Sequence, residues 1–250
     1  MPYRTLTVEE VADYLHLPAV DIERLVKSGE IPYQNRGGRL VFIRGDLDAW
    51  ASQRILGLPE RRLEDYHQRS TRGTRVFDGD ALIPELITPA FINPELASKT
   101  RRSVIHDMVA FAESTGRVMD PVEFRESVEA REDLCSTALP GGFALMHCRS
   151  HQPYRFDGSF MMLGRTCQDI MYGSPDGRPT RLFFLLCCQD ERLHLHTLAR
   201  MALMAQRTDV LDYLHGASDA QSMYDAMVAA EQAALAGRKR VESPAGDDEE

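Results

Sequence analysis

An α/β body preceded by a small helical unit is the architecture this sequence predicts, and three observations carry it. From about residue 81 onward, helical and strand-like patterns alternate. The run Leu182–Cys188 is apolar throughout, as a strand covered on both faces is. Residues 5–52 hold their own set of helix caps, a Gly-Gly hairpin and a short closing helix.

The first expected unit is residues 1–54. Thr7-Val8-Glu9-Glu10 is a capping box, with Thr7 capping a helix and Glu10 reaching back to it. Val8, Val11, Ala12 and Leu15 then recur at helical spacing. Pro18 suits the start of a second helix, with Ile22, Leu25 and Val26 on its apolar face and Ser28-Gly29 as its stop. Gly37-Gly38 joins two short strands into a hairpin, or wing, whose second strand is Leu40–Ile43. Asp46 is expected to cap a last helix that runs to Ser52 and carries Trp50, the only tryptophan. Residues 55–80 lack periodicity and are expected to be a linker, with room for a helical turn around 59–68.

The body is expected over residues 81–236. Ser98 is expected to cap a helix with Val104, Ile105, Met108, Val109 and Ala112 on one face, and Asp120-Pro121 to open the next. Strands are expected at Gly142–Met146, Ser159–Leu163 and Leu182–Cys188. Helices are expected at Leu193–Gln206 and Val210–Leu214, and Ser218-Asp-Ala-Gln221 reads as a capping box opening a final one. Residues 237–250, ending Gly-Asp-Asp-Glu-Glu, are expected to be an acidic disordered tail.

Composition narrows the class. Lys+Arg number 29 and Asp+Glu 38, a formal charge of −9, which excludes a uniformly basic nucleic-acid coat. Split along the chain, residues 1–60 carry −2 and residues 81–237 carry −6, so most of the acidity belongs to the body. Arg36, Arg39 and Arg44 form the best basic cluster, with no acid between them. The five cysteines are odd in number and contain no C-x-x-C spacing, so reduced thiols in a cytoplasmic setting are expected. No run of ~18 apolar residues marks a membrane span, and the start shows no signal-peptide core.

The N-terminal motifs are Glu10-Val11-Ala12, Lys27-Ser28-Gly29-Glu30-Ile31-Pro32, Gly37-Gly38-Arg39 and Asp46-Leu47-Asp48-Ala49-Trp50. On these, residues 5–52 resemble the excisionase/MerR-type winged helix-turn-helix family. The resemblance implies that the second helix enters the major groove of double-stranded DNA and the wing touches its backbone. Arg24 and Lys27 on that helix, with Arg36, Arg39 and Arg44 around the wing, are the implied DNA contacts. Asp21 and Glu23 depart from the family's Ser/Thr, Arg and Tyr at the front of the helix and carry the wrong sign for phosphate.

The body's telling stretch runs from Arg131-Glu132 through Ser136-Thr137 and Gly141-Gly142 to His147, and a second is His194-Leu195-His196-Thr197-Leu198-Ala199. Residues 81–232 resemble the fructose/mannitol-type (type 2) enzyme IIA domains of the sugar phosphotransferase system, including their nitrogen-regulatory branch. The resemblance implies a mixed sheet flanked by helices. It also implies that His147 accepts a phosphoryl group, with Arg131 gripping the phosphoryl oxygens and His194 orienting the acceptor. An imidazole with a pKa of about 6.5 is a competent nitrogen nucleophile near neutral pH, and a transferred phosphoryl needs mainly positioning and charge stabilisation. The Thr137 hydroxyl and backbone N–H groups after Gly141-Gly142 are expected to add donors. Three departures bear on that cradle: Met146 stands for the family's Pro, Ala138 for a Gly, and Pro140 enters the loop.

No cofactor is needed by this scheme, and Cys135, His147 and Cys148 match no zinc spacing. The expected function is a regulator that couples histidine phosphorylation to DNA binding, with a phosphocarrier protein of the phosphotransferase system as phosphodonor. A second reading stays open: a phosphorylation-independent sensor or interaction module. A sugar-transporting component is disfavoured, because no IIB- or IIC-like segment is present. Oligomeric state is not legible.

Overall fold

The computed structural model describes residues 5–15, 17–71, 81–150 and 152–236. The expected tail 237–250 and the linker stretch 72–80 lie outside the described residues.

The N-terminal unit starts with β1 (Thr5–Leu6), α1 (Val8–Leu15) and α2 (Ala19–Lys27). The capping box forms: Glu10 N–H donates to Thr7 Oγ1 at 3.3 Å, and Thr7 N–H to Glu10 Oε2 at 2.9 Å. The wing is β2 (Gln34–Arg36) and β3 (Arg39–Ile43), antiparallel with Arg36 opposite Arg39. Its two-residue turn needs left-handed backbone at both positions, and Gly37 and Gly38 have φ of 60° and 83°. β1 adds a third strand on the far side of β3. It was not expected, because two residues carry no period.

The closing helix α3 (Arg44–Leu56) is longer than expected and begins before Asp46, which lies in its first turn instead of capping it. The expected linker also changes character. Helix α4 (Glu60–Thr71) fills its middle and packs on the body, with Leu63 and Tyr66 buried. Its apolar positions are too few to stand out in the sequence. The partner that buries them lies about 140 residues away, so no local period reveals them.

The body contains the short helix α5 (Ile83–Leu86), then β4 (Ile92–Leu96), α6 (Arg101–Glu113), α7 (Pro121–Glu132), β5 (Ala138–Leu139) and β6 (Phe143–His147). It continues with β7 (Phe160–Ile170), β8 (Thr180–Cys187), α8 (Glu191–Arg207), α9 (Val210–Gly216) and α10 (Ala220–Ala236). The sheet order is β4-β7-β8-β6-β5. β4/β7 and β6/β8 are parallel, whereas β7/β8 and β5/β6 are antiparallel, so the sheet is mixed as expected.

Side chains alternate between two cores. Phe143 and Leu145 of β6 join Leu182, Phe184 and Leu186 of β8 beneath α8 and α10. Ala144, Met146, Phe183 and Leu185 face the other way, beneath α6 and α7. Asp120 caps α7 as expected, accepting from Glu123 N–H at 2.9 Å. Two expected caps shift: Thr100 rather than Ser98 caps α6, and Asp219 rather than Ser218 accepts the first-turn N–H of Ser222 at 2.8 Å. A buried ion pair ties the helical layer together. Arg200 of α8 donates to Glu231 of α10, and Glu231 also accepts the backbone N–H groups of Leu82 and Ile83 at 2.8 and 3.0 Å.

Candidate phosphoryl-transfer site

His147 is the last residue of β6, at the carboxyl end of the parallel β6/β8 pair, where open α/β sheets commonly place their sites. Alternation along β6 turns its ring to the α8 face, whereas Met146 points into the opposite core. Met146 therefore fills core volume and faces away from the His147 ring.

The ring is held at both nitrogens. Its Nδ1 lies 2.8 Å from the Leu145 carbonyl, which can only accept, so Nδ1 carries the proton. Nε2 is then the acceptor nitrogen, and Arg131 Nε donates to it at 2.9 Å. Arg131 is in the last turn of α7, and its Nη1 donates to the Cys135 carbonyl at 3.1 Å. The His194 ring, from the first turns of α8, stands 4.6 Å from the His147 ring, centroid to centroid, tilted by 46°. Arg131, His147 and His194 thus converge.

Two expected contributors do not. The Thr137 hydroxyl donates to Glu132 Oε2 at 2.6 Å, and Thr137 N–H also points at that carboxylate. Thr137 fixes Glu132 rather than facing the imidazole. Gly141 and Gly142 make the β5–β6 turn, with φ of 102° and 78°, at the opposite end of β6. At roughly 3.3 Å per residue, their N–H groups are about 17–20 Å from His147. Pro140 belongs to the same remote turn, and Ala138 is a strand residue paired with Ala144. Both departures lie away from His147 along the chain.

The expected DNA contacts divide. Arg24 and Lys27 are exposed on α2, but Arg24 pairs with Asp21 at 2.8 Å. Arg36 and Arg39 are exposed on the wing, where Arg36 donates to neutral Gln34 at 2.9 and 3.1 Å. Arg44 is spent elsewhere: it forms an ion pair with Glu191 in the first turn of α8.

A family model for the phosphoenolpyruvate-dependent sugar phosphotransferase system, EIIA 2, matches residues 85–229. The chain belongs to this family. A second model, for a helix-turn-helix domain, matches residues 5–55. The nitrogen regulatory protein of Bradyrhizobium diazoefficiens is 31% identical over 148 residues, which span 58% of this chain and 94% of that protein. The fructose-specific EIIABC component of Bacillus subtilis is 27% identical over 145 residues, and the match covers only 22% of its length. Among solved structures, nitrogen regulatory protein IIA-Ntr from Neisseria meningitidis shares the fold. It covers 59% of this chain and 99% of its own, with a TM-score of 0.54 and 21% identity. IIA mannitol from Escherichia coli covers 56% and 98%, at 0.50 and 15%.

Several residues around His147 had no role of their own in the sequence, although Glu132 stood beside Arg131 in its motif. Glu132 receives Thr137 and Arg101, whose Nη2 lies 3.0 Å from Oε1, and so anchors the end of α7 that presents Arg131. Ser52 and Gln53 of α3 also reach the site. Ser52 Oγ lies 3.5 Å from His194 Nε2, and the Gln53 amide touches Cys135 Sγ. Cys148, adjacent to His147 in sequence, sits in the opposite core, where burial pushes its thiol up. Among the described residues, no cluster of three His, Cys, Asp or Glu is placed to hold a metal, and no helix is long and apolar enough to cross a membrane.

Proposed function

We propose that this chain is a cytoplasmic regulator in which His147 accepts a phosphoryl group from a phosphohistidine-bearing phosphocarrier protein, and that the helix-turn-helix unit, binding DNA through its wing, reads the outcome. The observation that carries the reading is the clamped imidazole. The Leu145 carbonyl fixes the proton on Nδ1, and Arg131 stands 2.9 Å from Nε2. A nucleophile held in one tautomer needs no general base, because its lone pair is already free of a proton. As phosphorus bonds to Nε2, the Arg131 fork turns from the nitrogen to the phosphoryl oxygens, matching planar donors to a planar array of developing charge. His194 adds a second ring beside the incoming group.

The test is incubation of the full chain with phosphoenolpyruvate and the general phosphotransferase proteins. One acid-labile phosphoryl per chain is expected. His147→Ala should abolish it, and Arg131→Lys should slow it by about a hundredfold, the scale of losing one positioned donor. An unlabelled wild-type protein overturns the reading. One observation favours the phosphorylation-independent alternative: His147 is only 2% exposed.

A further inference from the structure

The closure of the site has an identifiable cause. His147 and Arg131 are 2% exposed and His194 is 1% exposed, so no docked protein reaches Nε2 in this arrangement. The cover is α3. Its Ser52 meets His194 on one side of the acceptor, and its Gln53 meets Cys135, whose carbonyl holds Arg131, on the other. The Ser52 hydroxyl proton goes to the Asp48 carbonyl at 2.9 Å, which leaves His194 Nε2 as donor to Ser52 at 3.5 Å. The donor that would serve a phosphoryl oxygen is parked on the covering helix by a long, weak bond.

We propose that α3 occupies the surface on which the phosphodonor must dock. The covered and phosphorylated states then exclude one another, so that phosphorylation of His147 holds the helix-turn-helix unit away from the body. The inference rests on the phosphocarrier reading above and names how that reading is regulated. In the transfer, the P–N bond of the donor's phosphohistidine breaks and its electron pair stays on the donor ring. The new N–P bond forms from the Nε2 lone pair, and the proton stays on Nδ1, donated to the Leu145 carbonyl. In-line approach requires the donor ring directly opposite Nε2, on ground that α3 covers. Once attached, the phosphoryl brings close to two negative charges beside a seam that already holds the acids Asp48 and Glu191, each at least nine-tenths buried. Arg44 pairs with Glu191 there, from a part-exposed position.

The polar contacts of the α3 seam are weak. The Arg44–Glu191 pair is partly open to solvent, and the polar bonds of Ser52 and Gln53 carry little net stability. α4 adds buried Leu63 and Tyr66 and the pairing of Glu60 and Glu64 with Arg207 of α8. α3 also buries Leu47, Ala51 and Ile55, so the charge of the phosphoryl has to offset that apolar burial before the helix leaves the body.

Two measurements on the full chain decide it. With phosphoenolpyruvate and the general phosphotransferase proteins, an Arg44→Ala/Gln53→Ala double variant should label roughly tenfold faster than wild type, the population shift expected when a part-exposed ion pair and a hydrogen bond are lost. In wild-type protein, amide hydrogen exchange over residues 44–56 should accelerate after labelling. Equal labelling rates together with unchanged exchange overturn the cover and leave the phosphocarrier reading standing. Should the double variant not fold, the exchange result on wild type decides alone. No labelling in either protein overturns both.

Discussion

Arg200 and Arg36 carry the same guanidinium into opposite surroundings. In the EIIA 2 domain, Arg200 is 1% exposed and bound to an equally buried Glu231, which also ties down two backbone N–H groups. In the helix-turn-helix unit, Arg36 stands in solvent on the wing with a neutral glutamine for company. The same contrast separates the buried Arg131, Glu132 and Arg155 of the body from Arg24 and Arg54 in the small unit, whose own side chains are 74% and 32% exposed. A buried charge stays only where every partner is in place, so it holds neighbouring groups at fixed positions. An exposed charge costs little to leave unpaired, so it remains available to a phosphate. The body uses charge to position, and the small unit keeps charge in reserve.

The comparison can be broken most forcefully at Glu231. Its removal in Glu231→Ala should cost about 3–5 kcal/mol, because Arg200 is left buried without its carboxylate. Urea unfolding measures this, and a loss below about 1 kcal/mol would show that water reaches the pair.

Asp48 tests an intermediate case, a buried carboxyl inside the otherwise surface-charged unit. Burial raises its pKa from 3.8 to about 6, although the Tyr14 hydroxyl at 2.6 Å and Arg44 both pull it down. The folded chain therefore holds this proton more tightly than the unfolded chain. That contribution to stability is complete below pH 3.8 and is lost as pH rises through about 6. Asp48→Asn should raise stability at pH 7 by about 1–3 kcal/mol and bring no gain near pH 4. A gain that does not depend on pH would place the effect in packing, not in charge.

The smallest effect on stability belongs to the wing. Arg36→Ala and Arg39→Ala should each change unfolding free energy by less than about 0.5 kcal/mol. In gel shifts on duplex DNA at several salt concentrations, each should lower the slope of log affinity against log salt by about 1. Unchanged slopes would remove the wing from DNA binding and leave its arginines without a demonstrated use.

Arg44 shows where reading the sequence stops. It stood in one cluster with Arg36 and Arg39, and by composition the three are equivalent. In the fold, two lie on the wing and the third faces Glu191, 147 residues further along the chain. The glycines at 141 and 142 show the same limit in reverse. They sit close to His147 in sequence, yet β6 separates them by its full length.

What the sequence determined by itself is what local rules encode. It set the capping box at Thr7 and Glu10, the Gly-Gly wing and the apolar strand through Phe183–Leu186, whereas the meeting of Arg131 and His147 was implied only by the family resemblance. Caps, turns and periods act over a few residues, so they can be read without a partner. Only the tertiary structure decided that α4 is a helix packed on α8, that Thr137 serves Glu132, and that α3 lies over the acceptor. Those contacts join residues roughly 80 to 150 positions apart in most cases, and even the nearest, Thr137 to Glu132, depends on how α7 ends against β5. No repeating pattern marks such pairs, because what selects them is the shape and charge of the surface each meets after folding.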